Sequence, residues 1–193
     1  MRIIGGVWRG RKLRFSAHAG LRPTPDRIRE TLFNWLQPVI MGARCLDLFA
    51  GSGALGLEAS SRGAARVVMV EKNLQACREI RSHVEVFAAK QVEVEVVTAD
   101  SLAYLQSCSS QRFDIVFLDP PFESNLLGLS CASLERNDCL AIGSYIYLES
   151  RGCSGLPALP CTWNLLHSKQ AGEVGYYLAR KEFSLLEAKS TVN

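Results

Sequence analysis

The sequence predicts an α/β protein: a mostly parallel sheet with helices on both faces, a C-terminal antiparallel hairpin and a basic N-terminal β-hairpin extension. Three observations predict it. From residue 44 onward, short β-branched runs, glycine turns and helical stripes alternate, the pattern of successive strand–helix units. The run at 67–70 is apolar throughout, as a strand covered on both sides requires. A chain of 193 residues, 48% of them hydrophobic, can also enclose one substantial core.

Taken in order, residues 2–15 alternate weakly around Gly5-Gly6 and Arg9-Gly10, which reads as a hairpin or extended arm. A helix follows, with Thr24 as N-cap, Pro25 in the first helical position and Asp26 at the positive dipole end. Its stripe is Ile28, Leu32, Trp35 and Leu36, and Pro38 stops it. Strand 45–49 leads through glycines into helix 53–62, which Gly63 ends. Strand 66–71 precedes a helix whose stripe is Leu74, Cys77, Ile80, Val84 and Phe87. In strand 92–98, Val92, Val94 and Val96 alternate with Glu93 and Glu95, a pattern that tolerates solvent on one side and places it at a sheet edge. Helix 101–107, strand 113–119, helix 125–135 and strand 145–149 continue the alternation. Runs 162–168 and 173–180, joined by 169–172, form the hairpin. The expected organisation is a basic arm (1–20), one catalytic domain (21–183) and a frayed tail (184–193).

The net charge of +3 conceals an asymmetry. Residues 1–30 carry eight arginines and lysines against Asp26 and Glu30, and the rest of the chain is net negative. A basic arm on a near-neutral body suits a polyanionic partner, and Arg9, Arg11, Lys12, Arg14 and Arg22 are the candidate contacts. The N-terminus lacks the apolar segment of a secretory signal, and no apolar run approaches a membrane span, so a cytoplasmic protein with no membrane partner is expected. Seven cysteines without a C-x-x-C pair read as reduced structural thiols and exclude a zinc site; no metal is expected.

The chemistry gathers at strand ends. Gly51-x-Gly53-x-x-Gly56 between a strand and a helix lets the backbone turn sharply and approach a ligand, and Glu71 ends the next strand where a carboxylate meets ribose hydroxyls. On its own this still permits a nicotinamide dinucleotide and an oxidoreductase. Asp47, just before the turn, argues against it, because a carboxylate there repels diphosphate and suits an ammonium or sulfonium. Asp119-Pro120-Pro121-Phe122 ends the fourth strand in the same crevice, as does Asp100 on the third, where it is equally a helix N-cap.

Asp47-x-Phe49-x-Gly51-x-Gly53 together with Asp119-Pro120-Pro121-Phe122 resembles the signature of Rossmann-type class I S-adenosylmethionine-dependent methyltransferases acting on amino groups. The arm Arg2-Ile-Ile-Gly-Gly-x-Trp-Arg-Gly-Arg-Lys12, the segment from Leu21 to Leu36 and the glycine segment from Phe49 to Ala59 resemble, more narrowly, the bacterial 16S rRNA guanine-N2 methyltransferase family of the RsmD type. Pro25 departs from that pattern, where Thr or Ser is expected. The resemblance implies that Asp47, Gly51 and Gly53 hold the methionine end of S-adenosylmethionine, Glu71 the ribose, and Asp100 with Ser101 the adenine edge. It implies that Asp119, Pro120 and Phe122 form the catalytic pocket. The implied partner is 16S rRNA or the small ribosomal subunit, met by a monomer. An adenine-N6 or other amino methyltransferase, and an RNA-binding assembly factor with a relic cofactor site, are the competing readings.

Overall fold

The computed structural model describes residues 1–15, 24–87, 92–108, 111–152 and 155–182. Seven strands form one sheet: β1 (Arg44–Asp47), β2 (Arg66–Glu71), β3 (Glu93–Thr98), β4 (Phe113–Leu118), β5 (Leu140–Arg151), β6 (Trp163–Ala171) and β7 (Val174–Lys181). Their order is β3-β2-β1-β4-β5-β7-β6. Strands β1 to β5 run parallel, and β7 and β6 are antiparallel additions. The order reverses between β1 and β4, so the crevice that open α/β sheets offer to ligands lies beyond the carboxyl ends of those two strands.

Among the described residues five α-helices cover the sheet: α1 (Asp26–Leu36), α2 (Ala54–Ser61), α3 (Leu74–Val86), α4 (Ser101–Ser107) and α5 (Leu126–Arg136). One core holds Leu32 and Phe33 of α1, Leu57 of α2 and Ile80 of α3 against Cys45, Ile115 and Tyr147 of the sheet. The other holds Leu105 of α4 and Leu134 of α5 against Leu46, Val116 and Leu148. Alternation along each strand sends successive side chains into the two cores in turn. The edge position expected for the third strand holds, with Arg66 pairing outward to Glu93 and Glu95.

Several boundaries differ from expectation for local reasons. Pro25, not Thr24, is the N-cap of α1, and no side chain caps that helix; Thr24 is turned toward the sheet instead. Leu74 opens α3 exposed, with Asn73 capping the helix through Gln75 and Ala76. Strand β5 starts five residues earlier than expected, because a bulge against β4 absorbs residues around Gly143 and hides the alternation there. The hairpin turn is tighter than expected: Ala171 pairs directly with Val174, which leaves Lys169 and Gln170 in the strand. The reading of seven reduced thiols needs correction, since Cys108 at the end of α4 is disulfide-paired with Cys139, just before β5. A separation of 31 residues carries no local signature of pairing. Cys45, Cys77 and Cys131 are buried thiols, but Cys161 is exposed. Residue 153 and the tail 184–193 lie outside the described residues.

The N-terminal arm is a short hairpin in which Arg2 bridges Lys12 antiparallel, with Ile3 N donating to Arg11 O at 2.9 Å and Leu13 N to Met1 O at 3.0 Å, around a 3₁₀ turn at Gly6–Trp8. It is docked on α2. The Glu58 carboxylate accepts from Ile4 N and Gly5 N, each at 2.8 Å, and Ser61 Oγ accepts from Trp8 N at 2.9 Å while donating to Gly5 O at 2.6 Å. Gly6 runs at φ 74° against the Ser61 carbonyl, where a Cβ would have no room. Ile3, Trp8 and Leu13 enter the first core, and Trp8 packs on Phe87 with ring centroids 5.3 Å apart.

Candidate active site

The β1–β4–β5 register explains the site. Cys45, Ile115 and Tyr147 share a face, and Asp47 and Phe117, two residues further along β1 and β4, are partners across the ladder. One more alternation carries β4 to Asp119 and β5 to Glu149, so these two carboxyls stand abreast just beyond Asp47. The residue ahead of α1 closes that face: Thr24 Oγ1 donates to Asp119 Oδ2 at 3.1 Å.

Asp47 lies beneath the glycine turn, 2% exposed. Its Oδ2 accepts from Gly56 N at 2.9 Å. Gly53, the N-cap of α2, runs left-handed at φ 76° and has no side chain to offer the helix, so β1 supplies the missing acceptor. Gly56 permits the approach: a Cβ there would sit 2.5 Å from the Met69 side chain and 3.3 Å from Asp47 Oδ2. Burial raises the Asp47 carboxyl to about 7, against the lowering effect of the Gly56 bond and with Asp119 and Glu71 adding repulsion.

Glu71 closes the turn from the β2 side. Its Oε2 accepts from Gly51 N at 2.9 Å and its Oε1 from Asn73 N at 2.7 Å. Asp100 is the N-cap of α4, its Oδ1 accepting from Leu102 N and Ala103 N at 3.0 and 3.1 Å, and Ser101 is buried beside it. Beyond Asp119, Pro120 is buried and Phe122 is 40% exposed. Ser124 returns the loop through two bonds to Pro121 O. Burial pushes the Asp119 carboxyl up to about 6, opposed by hydrogen bonds from Thr24 and Glu149.

Arg9, Arg11, Lys12 and Arg14 are all exposed on the arm, with the Arg11 guanidinium 5.1 Å from the centre of the Phe87 ring. Arg22 lies outside the described residues. A groove of about 880 Å³ opens at the opposite end of the strands between Trp8, Met41 and Ala65; Arg62 is the one charged residue in its lining. That groove holds none of the carboxylates at the strand ends. Sequence reasoning missed Thr24 as a site residue and Glu149 altogether. A glutamate directly after the run Tyr145-Ile-Tyr-Leu148 in a central strand was the available signal.

Comparison with known proteins agrees with this geometry. The family model Conserved hypothetical protein 95 matches residues 1–180. Ribosomal RNA small subunit methyltransferase D of Escherichia coli is 46% identical over 182 residues, 94% of this chain and 90% of that protein. The protein of the same name from Haemophilus influenzae is 42% identical over 92% of each chain. The chain belongs to the ribosomal RNA small subunit methyltransferase D family. A solved structure of an Escherichia coli relative, yhhF, superposes with a TM-score of 0.84 at 44% identity, covering 94% of this chain and 98% of that one. This member of the methyltransferase D family thus has the class I Rossmann-type fold and is an S-adenosylmethionine-dependent enzyme. The residues present fit that cofactor: a left-handed glycine turn, close helix–strand packing at Gly56, and carboxylates at the ends of β1, β2 and β4. Among the described residues no group of three His, Cys, Asp or Glu could hold a metal ion, and no helix is long and apolar enough to cross a membrane.

Proposed function

We propose that this enzyme transfers a methyl group from S-adenosylmethionine to the exocyclic N2 of a guanine in 16S rRNA, met in the small ribosomal subunit or an assembly intermediate. The observation that carries the reading is the Asp119–Phe122 loop, which leaves β4 at the switch point with its carboxylate on the sheet face and its aromatic ring in solvent. When bound, the cofactor supplies an electrophilic methyl on a sulfonium. Asp47, under the turn, gives its end of the crevice a negative charge that favours a cationic methionine moiety. Gly51 and Gly53 lay the backbone against it, Glu71 meets the ribose, and Asp100 with Ser101 borders the adenine.

A guanine amine is a weak nucleophile because its lone pair is delocalised into the ring. Asp119 and the Pro120 carbonyl accept its two N–H bonds, which favours a pyramidal nitrogen and aims the lone pair for in-line attack. Phe122 offers a ring face to the base, where stacking contributes about 1–3 kcal/mol. The accepting atom lies on the base-pairing edge, so the guanine enters unpaired or flipped. Arg9, Arg11, Lys12, Arg14 and Arg22 grip phosphates, and the enzyme works as a monomer in the cytoplasm. Asp119→Ala is expected to lower kcat on small-subunit particles by about 100-fold or more, the scale of removing one preorganised polar group, with S-adenosylhomocysteine binding retained. Mapping the methylated base in cells lacking the gene tests the substrate: N2-methylguanine that persists undiminished, or lost N6-methyladenine in its place, overturns the assignment.

A further inference from the structure

Glu149 has no part in the reading above, yet it is a buried carboxyl with no cationic partner among the described residues. It is 2% exposed at the carboxyl end of β5. Its Oε1 accepts from Tyr147 Oη at 2.7 Å, on the same strand and face. The β4–β5 register sets its carboxyl beside that of Asp119, and the two titrate against each other. Two carboxyl groups can hydrogen-bond to each other only when one carries a proton. Among the described residues neither forms an ion pair with lysine or arginine. Among the described residues, the titratable groups facing the pair are Asp47 on β1, Tyr147 on β5 itself and Tyr176, the β7 partner of Glu149. None of these supplies a positive charge.

We propose that Glu149 is a positioning residue for methyl transfer: it holds one proton between itself and Asp119, and so fixes the Asp119 carboxylate as an oriented acceptor for the target amine. The inference rests on the role given to Asp119 above. The Tyr147 hydroxyl occupies Glu149 Oε1 and directs the proton-bearing oxygen toward Asp119. Thr24 holds Asp119 Oδ2. With no proton the two anions repel and Asp119 swings away; with two, Asp119 no longer accepts as a carboxylate. The singly protonated pair is the working form. Burial raises both groups, Asp119 to about 6 and Glu149 well above the usual carboxylate range, with the Asp119 charge adding to the second.

Glutamine reproduces the arrangement, since its carbonyl accepts from Tyr147 and its amide donates to Asp119. On small-subunit particles, Glu149→Ala is expected to lower kcat at least tenfold, with the dissociation constant of S-adenosylhomocysteine within twofold of the parent. Glu149→Gln is expected to restore kcat to within about threefold and to abolish the alkaline fall in kcat, because an amide has no proton to lose in that range. Full kcat in Glu149→Ala, equal damage in both variants, or an alkaline limb that survives in Glu149→Gln would each overturn the proposal. Infrared difference spectra between the parent and Glu149→Gln give a readout independent of catalysis. A protonated carboxyl band at neutral pH, lost in the variant, supports the shared proton, and its absence in the parent sinks it. An enzyme that methylates no guanine but shows the band would overturn the functional reading alone.

Discussion

At the residue scale, burial decides which carboxylates act by charge and which by hydrogen bonding. Asp47 is covered by the glycine turn and raised to about 7. An acid raised in the folded state makes folding less favourable as pH climbs from its unfolded value near 4 through about 7. Asp47→Asn is therefore expected to raise the melting temperature of the unliganded protein at pH 8, while leaving it little changed at pH 4; scanning calorimetry at the two values checks this. The same group links pH to ligand affinity. S-adenosylhomocysteine carries an ammonium, so its association constant is expected to rise up to about tenfold from pH 6 to pH 8, with proton release visible by calorimetry in two buffers. In Asp47→Asn that pH dependence disappears. Asp47 and Asp119 were legible in the sequence because each interrupts or ends an apolar strand beside a turn-forming motif. Glu149 was not, because its significance is a lateral one: it matters only once β5 is set against β4 in a register that no local pattern specifies.

At the element scale, α2 and the arm stand or fall together. Glu58 is wholly buried in α2, pairs with Arg29 of α1 at 3.6 Å and Arg62 at 2.8 Å, and caps two amides of the arm. Glu58→Ala takes one of two carboxylates from the fully buried Arg29, which keeps Asp26 at 2.6 Å, and removes the acceptor of two arm amides, a change expected to cost about 2–3 kcal/mol and to lower the melting temperature by roughly 5–10 °C. Limited proteolysis should then cut the arm first. The alternation of strands and helices was legible because each strand and helix from residue 44 carries its own periodicity. The arm's docking was not, since the partners of Ile4, Gly5 and Trp8 lie more than fifty residues away on a helix whose sequence, Ala54–Ser61, has no polar face to advertise a contact. The disulfide between Cys108 and Cys139 escaped notice for the same reason, as a pairing across the flanks of β4.

At the scale of the whole molecule, the four arm cations from Arg9 to Arg14 are exposed while Ile3, Trp8 and Leu13 of the arm are anchored in the core. Replacing Arg9 and Arg11 together by Ala is expected to weaken RNA binding and to reduce the slope of log K against log salt by about 1.4–1.8, the release of two counterions. Filter binding across a salt series measures it, and an unchanged slope would show that the phosphate contacts lie elsewhere. The docking of that arm has one more consequence. A single eight-residue helix, Ala54–Ser61, carries the glycine turn at its amino end and the arm's anchor at its carboxyl end. On the proposed reading, in which the turn holds the cofactor and the arm the RNA, the two ligands lean on opposite ends of one short rod and their affinities are reciprocal quantities: whatever factor the RNA imposes on cofactor binding, the cofactor must impose on the RNA.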